Sequence, residues 1–289
     1  RSNFAVYSKN ASKIEICIFD ESDIETHKID LKYKTDDIFH AFVKGINKGT
    51  KYGIRAYGEY SPQNGNWFDP SKLLFDPFAL AIDKSFELCD EMLEYGVDSA
   101  KKMPKAVVFE PILASPKSNL KFKDLIIYEL HIKGFTQKQK NIPDYWRGRF
   151  KGLCSQPSIE YLKSLGINAV EILPSNAWID ENHLRKLGLK NYWGYNTIGF
   201  LTPDPKLAPD GWDEVRECVQ TLEQNGIETI IDVVFNHSGE GDKYGPNISL
   251  RGLDNKTYYM RDENGEYSNY AGCGNVLNCN EDADRKSTR

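Results

Sequence analysis

From Asp124 onward the chain alternates apolar runs with amphipathic, glycine-stopped segments, and that alternation leaves few folds open. Leu125-Ile126-Ile127-Tyr128-Glu129-Leu130-His131 is a nearly continuous apolar run, which predicts a strand buried on both faces. Ser158 to Leu165 places Ile159, Leu162 and Leu165 at helical spacing and stops at Gly166. Ala169-Val170-Glu171-Ile172-Leu173 predicts the next strand, ended by Pro174. Asp213 to Gln224 carries Val215, Val219 and Leu222 on one helical face, with Gly226 as its stop. Thr229 to Phe235 predicts a third strand. Strand, helix, strand, helix, strand implies right-handed βαβ units and a parallel sheet. A doubly wound sheet and a (β/α)₈ barrel both satisfy the pattern.

The first hundred residues read differently. Ile14 to Phe19 and Phe39 to Val43 are short β-rich runs, and Tyr52 to Gly58 alternates with period two, which predicts one buried face. Strands this short and this closely spaced suggest a β-sandwich. The segment Pro104 to Lys123 is rich in Pro, Ser and Lys and reads as a linker. Ser238 to Arg289 is rich in Gly, Asn, Asp and Tyr, shows no clear period, and reads as a long loop or inserted subdomain. The expected division is therefore a sandwich over 1–110, a linker over 111–123 and a parallel layer over 124–289, with the insertion from about 238.

Composition narrows the function classes. A formal net charge of -5 argues against nucleic acid and anionic membrane, both of which need a basic surface. No apolar run approaches the ~20 residues of a membrane span, and no leader pattern opens the chain; the expected location is the cytoplasm. The six cysteines are scattered without a C-x-x-C pair, which argues against a zinc site and reads as reduced thiols.

Polar residues at the C-terminal ends of parallel strands are where α/β barrels place their sites. Three such groups occur: Tyr128, Glu129 and His131; Asn191-Tyr192-Trp193-Gly194-Tyr195-Asn196; and Asp232, Asn236 and His237. Aromatic rings pack on the C–H faces of sugars, while carboxylates, amides and imidazole bond the hydroxyls at the ring edge. The mixture suits carbohydrate. Taken singly, each residue has a plainer reading. Asp232 could be a buried hydrogen-bonded carboxylate, His237 a loop or cap histidine, and Trp193 and Tyr195 core aromatics. Glu129 and His131 read as packing and internal hydrogen bonding.

Together the motifs resemble a known family. Asp232-Val233-Val234-Phe235-Asn236-His237 resembles the first conserved region of the α-amylase superfamily, D-x-V-x-N-H. Asn191 to Asn196 resembles the loop after the second barrel strand of its debranching members, and Tyr128 to Thr136 their first strand. Leu73 to Ala79 resembles the junction from their N-terminal sandwich. Asn269 to Asn278 resembles the T-G-C-G-N-x-L-N stretch of bacterial glycogen debranching enzymes and isoamylases, with Ala271 in place of the usual Thr.

The resemblance implies a β-sandwich followed by the first part of a parallel (β/α)₈ TIM barrel, cut after about three strands. It implies an α-1,6-glucosidase of the isoamylase type acting on glycogen or a similar α-glucan, with no cofactor. By the same resemblance Tyr195 stacks on the glucose at the minus-one subsite, His237 bonds a hydroxyl of that glucose, and Asp232 orders the pocket by holding an arginine. Trp193 joins the substrate-binding set. Asn236 matches a position that binds calcium in many amylases; debranching members often do without it, so no metal is expected. Retaining glycosidases need two carboxylates about 5–5.5 Å apart. The family carries them on strands four and five, and no sequence of that form follows Asn278, so the chain is expected to hold neither nucleophile nor acid. The alternatives are a glucan branching enzyme, against which Asn236 argues, and a non-catalytic glycan-binding chain.

Overall fold

The computed structural model describes residues 2–110 and 120–281. The expected β-rich N-terminal region is present as nine strands: β1 (Ser2–Tyr7), β2 (Lys13–Phe19), β3 (Glu25–Asp30), β4 (Tyr33–Thr35), β5 (Ile38–Val43), β6 (Lys51–Tyr57), β7 (Tyr60–Ser61), β8 (Asn66–Trp67) and β9 (Ala106–Val107). Two antiparallel sheets, ordered β1-β5-β4 and β3-β2-β6-β9, share one apolar core, where Phe4 meets Tyr52 edge to face at 5.2 Å. The turn from β2 to β3 is made by Asp20, whose carboxylate accepts the amides of Ser22 and Ile24 at 2.9 Å each.

Two expectations for this region need correction. The alternation in Tyr52 to Gly58 does not leave a wet face, because Tyr52, Ile54, Arg55 and Ala56 are all buried. A return segment covers the second face. Ile54 exchanges backbone hydrogen bonds with Leu74, and a Cβ on Gly53 would lie 2.7 Å from the Leu73 side chain. Arg55 is accommodated there by the carbonyls of Pro70 and Ser71 at 2.9 and 2.8 Å. The stretch ending at Lys123 is also not linker from its start, since β9 pairs with β6. Residues 111–119 of the expected linker 111–123, and residues 282–289, lie outside the described residues.

The second layer contains β10 (Ile127–Leu130), α1 (Ile132–Thr136), α2 (Phe150–Leu153), α3 (Gln156–Ser164), β11 (Ala169–Ile172), β12 (Asn176–Trp178), α4 (Asn182–Lys186), β13 (Thr197–Pro203), α5 (Trp212–Gln224) and β14 (Glu228–Ile231). Strands β10, β11 and β14 are parallel and adjacent in that order, joined through α3 and α5. Leu130, Val170 and Ile172 pack against Ile159, Leu162, Val215 and Leu222 of the two helices. Gly166 and Gly226 end them in left-handed conformation. The antiparallel pair β12 and β13 was not anticipated; it interrupts the crossover and carries the chain from one core to the other.

The first parallel strand is shorter and wetter than its apolar run predicted. Ile126 and Ile127 are 54% and 41% exposed, and Glu129, read as internal packing, is exposed as well. The helices cover one face of the three-stranded sheet, and the other carries exposed Ile127 and Glu129 beside half-buried Glu171 and Ile230. The third strand likewise pairs only to Ile231, and the amide of Asp232 makes a last bond to the Ile172 carbonyl at 2.9 Å.

The stretch read as an unperiodic loop contains α6 (Leu250–Tyr258), and it packs on the N-terminal sheets. Leu250, Leu253, Tyr258 and Tyr259 enter the first core. At Asp254 the helix is broken by extended φ/ψ, and the carboxylate there accepts from the Ser8 hydroxyl and the Asn10 amide at 3.2 and 2.9 Å. No helix among the described residues is long and apolar enough to cross a membrane.

Candidate functional site

The excursion between β12 and β13 ends in the Asn191–Asn196 loop, and its own hydrogen bonds fix its shape. The Trp178 indole donates to the Asn191 carbonyl at 3.2 Å, the Asn191 amide donates to Asp180 at 2.8 Å, and the Asn191 side chain accepts from the Gly194 amide at 3.0 Å. Gly194 has φ +80°, and a Cβ there would lie 2.7 Å from the Pro174 carbonyl oxygen, so both backbone and space require glycine. At the loop's end Asn196 exchanges bonds with Ile179: its side chain donates to the Ile179 carbonyl at 2.7 Å and its carbonyl accepts the Ile179 amide at 3.1 Å.

This loop brings three of the five sequence-predicted residues into one unit. The Tyr195 hydroxyl donates to the Asp232 carboxylate at 2.7 Å. His237 Nε2 is 2.8 Å from the Tyr195 carbonyl oxygen, so that nitrogen carries the proton and donates. The other ring nitrogen, Nδ1, is buried without a partner among the described residues. Burial raises the Tyr195 phenol to about 12, helped by its bond to Asp232. Tyr195 therefore stays a neutral donor at physiological pH, and its ring remains 40% exposed.

Trp193 stands apart from this unit in an aromatic group of its own. Tyr192 stacks on His131 with centroids 4.3 Å apart and planes 15° apart, and Trp193 meets both rings edge-on. His131 Nδ1 accepts the Gly134 amide at 3.1 Å, which leaves Nε2 to donate to the Tyr192 carbonyl at 2.7 Å. Burial lowers its pKa, so it sits as a neutral spacer that caps α1 and seats the loop. The fifth residue, Asn236, is exposed and contributes its backbone carbonyl to the Leu277 amide at 3.0 Å. Among the described residues no group of three or more His, Cys, Asp or Glu is placed to hold a metal ion.

A cleft of about 1150 Å³ is lined by Trp193, Tyr195, His237, Tyr244, Asn269 and Gly274, among others. Asp232 and Asn236 are not among its lining residues. Its floor depends on two buried groups that sequence reasoning passed over. Asn275 is fully buried; it accepts the Ser238 amide at 2.9 Å and donates to the carbonyls of Ser238 and Gly241 at the same distance. The signal for it was the Gly-Asn pair in the Asn269–Asn278 motif. Glu240 is fully buried, with its oxygens taken by the amides of Ile248, Ser249 and Arg251 and by the Tyr259 hydroxyl. It braces the fold and presents no free carboxylate to the cleft.

The fold defines a class. The chain superposes on pullulanase from Anoxybacillus sp. LM18-11, solved with maltotetraose, with a TM-score of 0.75 at 22% identity, covering 99% of this chain and 40% of that one. It superposes as well on the catalytic module of the pneumococcal glycogen-degrading virulence factor SpuA, at 0.75 and 19% identity over 99% of this chain and 42% of that one. This is the fold of pullulanase- and amylase-type proteins.

The sequence comparison is more particular. Residues 1–79 match carbohydrate-binding module 48, the isoamylase N-terminal domain. The chain is 40% identical to the glycogen debranching enzyme of Klebsiella pneumoniae (strain 342) over 96% of its own length and 44% of that protein's. It is 39% identical to the glycogen operon protein GlgX homolog of Haemophilus influenzae over 99% and 44%. The recognition drawn from the motifs is borne out: the chain is a relative of the isoamylase-type glycogen debranching enzymes, and it spans less than half the length of those it matches.

Proposed function

We propose that the chain is the part of an α-glucan debranching enzyme that receives the glucose next to an α-1,6 branch point, for hydrolysis by a retaining two-carboxylate mechanism. The observation that carries this reading is the Tyr195–Asp232–His237 unit at the lip of the cleft. Two motifs separated in sequence supply it, and each member constrains the next. Tyr195 offers a ring face to the sugar, with its hydroxyl held by Asp232 so that the ring cannot swing. His237 lines the cleft and holds the Tyr195 backbone through Nε2, and in this reading it meets a hydroxyl of the same glucose. Trp193 supplies a second aromatic wall, and Asn236 an exposed amide beside the unit.

In this reading residues 1–110 are a β-sandwich, 111–123 a linker, and β10, β11 and β14 the first three strands of a (β/α)₈ barrel, whose open face is barrel interior. The segment from about 238 is an insertion that returns to the sandwich. The ligand is glycogen or a limit dextrin and the location cytoplasmic. The motifs match no nucleophile or general acid within residues 1–289, so this chain by itself is expected to bind α-glucan and not cleave it. Binding that is equal in ground and transition states does not speed bond breaking.

The test is calorimetric titration of the chain with maltotriose, beside a reducing-end assay on glycogen β-limit dextrin. Tyr195→Ala should weaken maltotriose binding at least about tenfold, while Tyr192→Ala and Tyr270→Ala change it little. Equal losses for all three would mean that general packing has been taken for a subsite. Turnover above background would show that catalytic groups lie among residues assigned here to binding.

A further inference from the structure

The second core holds two thiols that the cleft chemistry does not use. Cys218 is fully buried on α5, and Cys154, partly exposed, packs on the same core just after α2. These helices, far apart in sequence, are fitted together by their own hydrogen bonds. The Lys151 amide donates to Glu214 at 3.1 Å, the Lys151 ammonium to Asp210 at 2.7 Å, and the Phe150 amide to the Leu207 carbonyl at 3.0 Å. Cys154 and Cys218 follow Lys151 and Glu214 by three and four residues, so each lies one helical turn on from that junction. The turn bearing Cys154 is fixed as well. The hydroxyls of Ser155 and Ser158 each donate to the Gly152 carbonyl at 2.7 Å, and the Cys154 thiol donates to the Lys151 carbonyl at 3.7 Å.

The two thiols differ in the way that disulfide exchange requires. Hydrogen-bonding contact with Cys218 holds the Cys154 thiol below the ordinary cysteine value, although burial pushes the other way. The same contact, with burial added, pushes Cys218 well above it. Burial raises Cys17, Cys89 and Cys273 instead, Cys17 to about 12. Thiolate is the attacking species, so the partly exposed thiol with the lower pKa is the one that a reagent from solution meets first.

We propose that Cys154 and Cys218 form an oxidisable dithiol, which a low-molecular-weight disulfide such as glutathione disulfide closes into a bond between α2 and α5. The Cys154 thiolate attacks one sulfur of the small disulfide, forming a mixed disulfide. The small thiolate expelled takes up the proton that Cys154 gave to water. Cys218 then attacks the Cys154 sulfur, and its proton passes to the second small thiol as that leaves. Two protein thiols are oxidised, and one small disulfide is reduced to two thiols. The bond closes a covalent ring around α3, β11, the Asn191–Asn196 loop and β13, so one link holds both ends of the segment that carries Tyr195. A link of that span stabilises by restricting the unfolded chain. The dithiol acts in the same way whatever the cleft binds.

The test equilibrates the full 289-residue chain with graded ratios of reduced to oxidised glutathione, traps remaining thiols with iodoacetamide and maps the cysteines by peptide mass spectrometry. A linked Cys154–Cys218 peptide pair should accumulate as the oxidised form rises. Thermal unfolding of the linked chain should move up by about 5 °C, a shift that dithiothreitol reverses. Cys218→Ser should stop the reaction at a glutathione adduct on Cys154, and Cys154→Ser should leave Cys218 unmodified in the folded chain. A wild-type chain in which Cys154 stops at the adduct, or in which neither cysteine reacts while exposed Cys279 does, would overturn the pair. A linked chain whose unfolding midpoint is not raised would overturn it too, because the helices would then have to part to make the bond.

Discussion

The molecule treats charge in two opposite ways. In the segment from Ser238 to Tyr259 charge is enclosed and answered. Arg251, fully buried, donates to the carbonyls of Gly245, Pro246, Glu240, Gly241 and Asp242 and to the Tyr267 hydroxyl. Across the parallel strands the charges stand on a partly exposed face. Glu129 and Glu171 are register partners on β10 and β11, so they project on the same side. Asp232 follows two residues after Ile230, the partner of Glu171. These three carboxylates form no ion pair among the described residues; only Asp232 has a hydrogen-bonding partner, Tyr195. The first region uses charge to hold a fold. The second keeps charge available, beside the Tyr195–Asp232–His237 unit proposed to contact substrate.

Removing the enclosed charge should therefore have the largest effect. Arg251→Leu would leave five backbone carbonyls without their donor and Glu240 without its neighbouring positive charge. The expected loss is about 3–5 kcal/mol in equilibrium urea unfolding. A loss under about 1 kcal/mol would mean that water replaces the guanidinium and that the segment is less closed than its burial indicates. Next in size is Gly194→Ala in the site loop. The residue must hold positive φ and displace the Pro174 carbonyl, so about 1–3 kcal/mol and a displaced Tyr195 are expected. Gly188→Ala provides the control: its φ is +67° but nothing lies within 4 Å of the added Cβ. It should cost about 1 kcal/mol and leave maltotriose binding intact.

A smaller effect belongs to a pair between the two extremes. Asp23 lies 3.0 Å from both Lys51 and Lys84. Partial burial raises its pKa, but hydrogen bonds from the two lysines outweigh that and bring it down to about 2. A carboxylate lowered in the folded state adds stability above its unfolded pKa of about 3.9. That stability is lost as pH falls toward 2. Asp23→Asn should flatten the acid limb of stability between those values and leave the neutral-pH slope unchanged. Asparagine tolerates the left-handed φ of 60° at this position, which keeps the comparison clean. An unchanged acid limb would show that the lysines do not hold the carboxylate in solution.

The contrast also explains what the sequence could disclose. Local signals were legible: the glycine stops after α3 and α5 and the parallel pairing of the strands, while short motifs pointed to Tyr195, Asp232 and His237, which the structure brings into contact. What failed depended on partners distant in sequence. Tyr52 to Gly58 alternates, yet its polar positions are buried, because Arg55 finds carbonyls at Pro70 and Ser71 that no local pattern announces. Leu125 to His131 is apolar enough for a buried strand, yet burial needs a second layer, and apolar character cannot supply one. The Ser238 stretch lacks period because its interactions are the buried ions Glu240, Arg251 and Asp254 and scattered amides instead of an amphipathic stripe. Its association with Ser8, Asn10 and Tyr7 spans nearly the whole chain. The stack of Tyr192 on His131 was hidden for the same reason: each residue was visible, and their contact was a property of the loop's closure.

The smallest effect should come from the open face itself. Glu129→Leu removes one of two like charges placed side by side on neighbouring strands, at a position where the side chain is exposed and makes no hydrogen bond among the described residues. Parallel partners sit close enough for repulsion, but water and salt screen exposed charges. Replacement of exposed groups away from special contacts changes stability within about 0.5 kcal/mol. Urea unfolding should thus give a change inside that band, slightly stabilising at low ionic strength and fading in high salt, against the several kcal/mol of Arg251→Leu. A large destabilisation would mean that Glu129 meets a basic group on this face and that the sheet is covered in solution. The two regions would then differ only in which partner encloses them, and the availability of charge near Tyr195 would no longer mark the site.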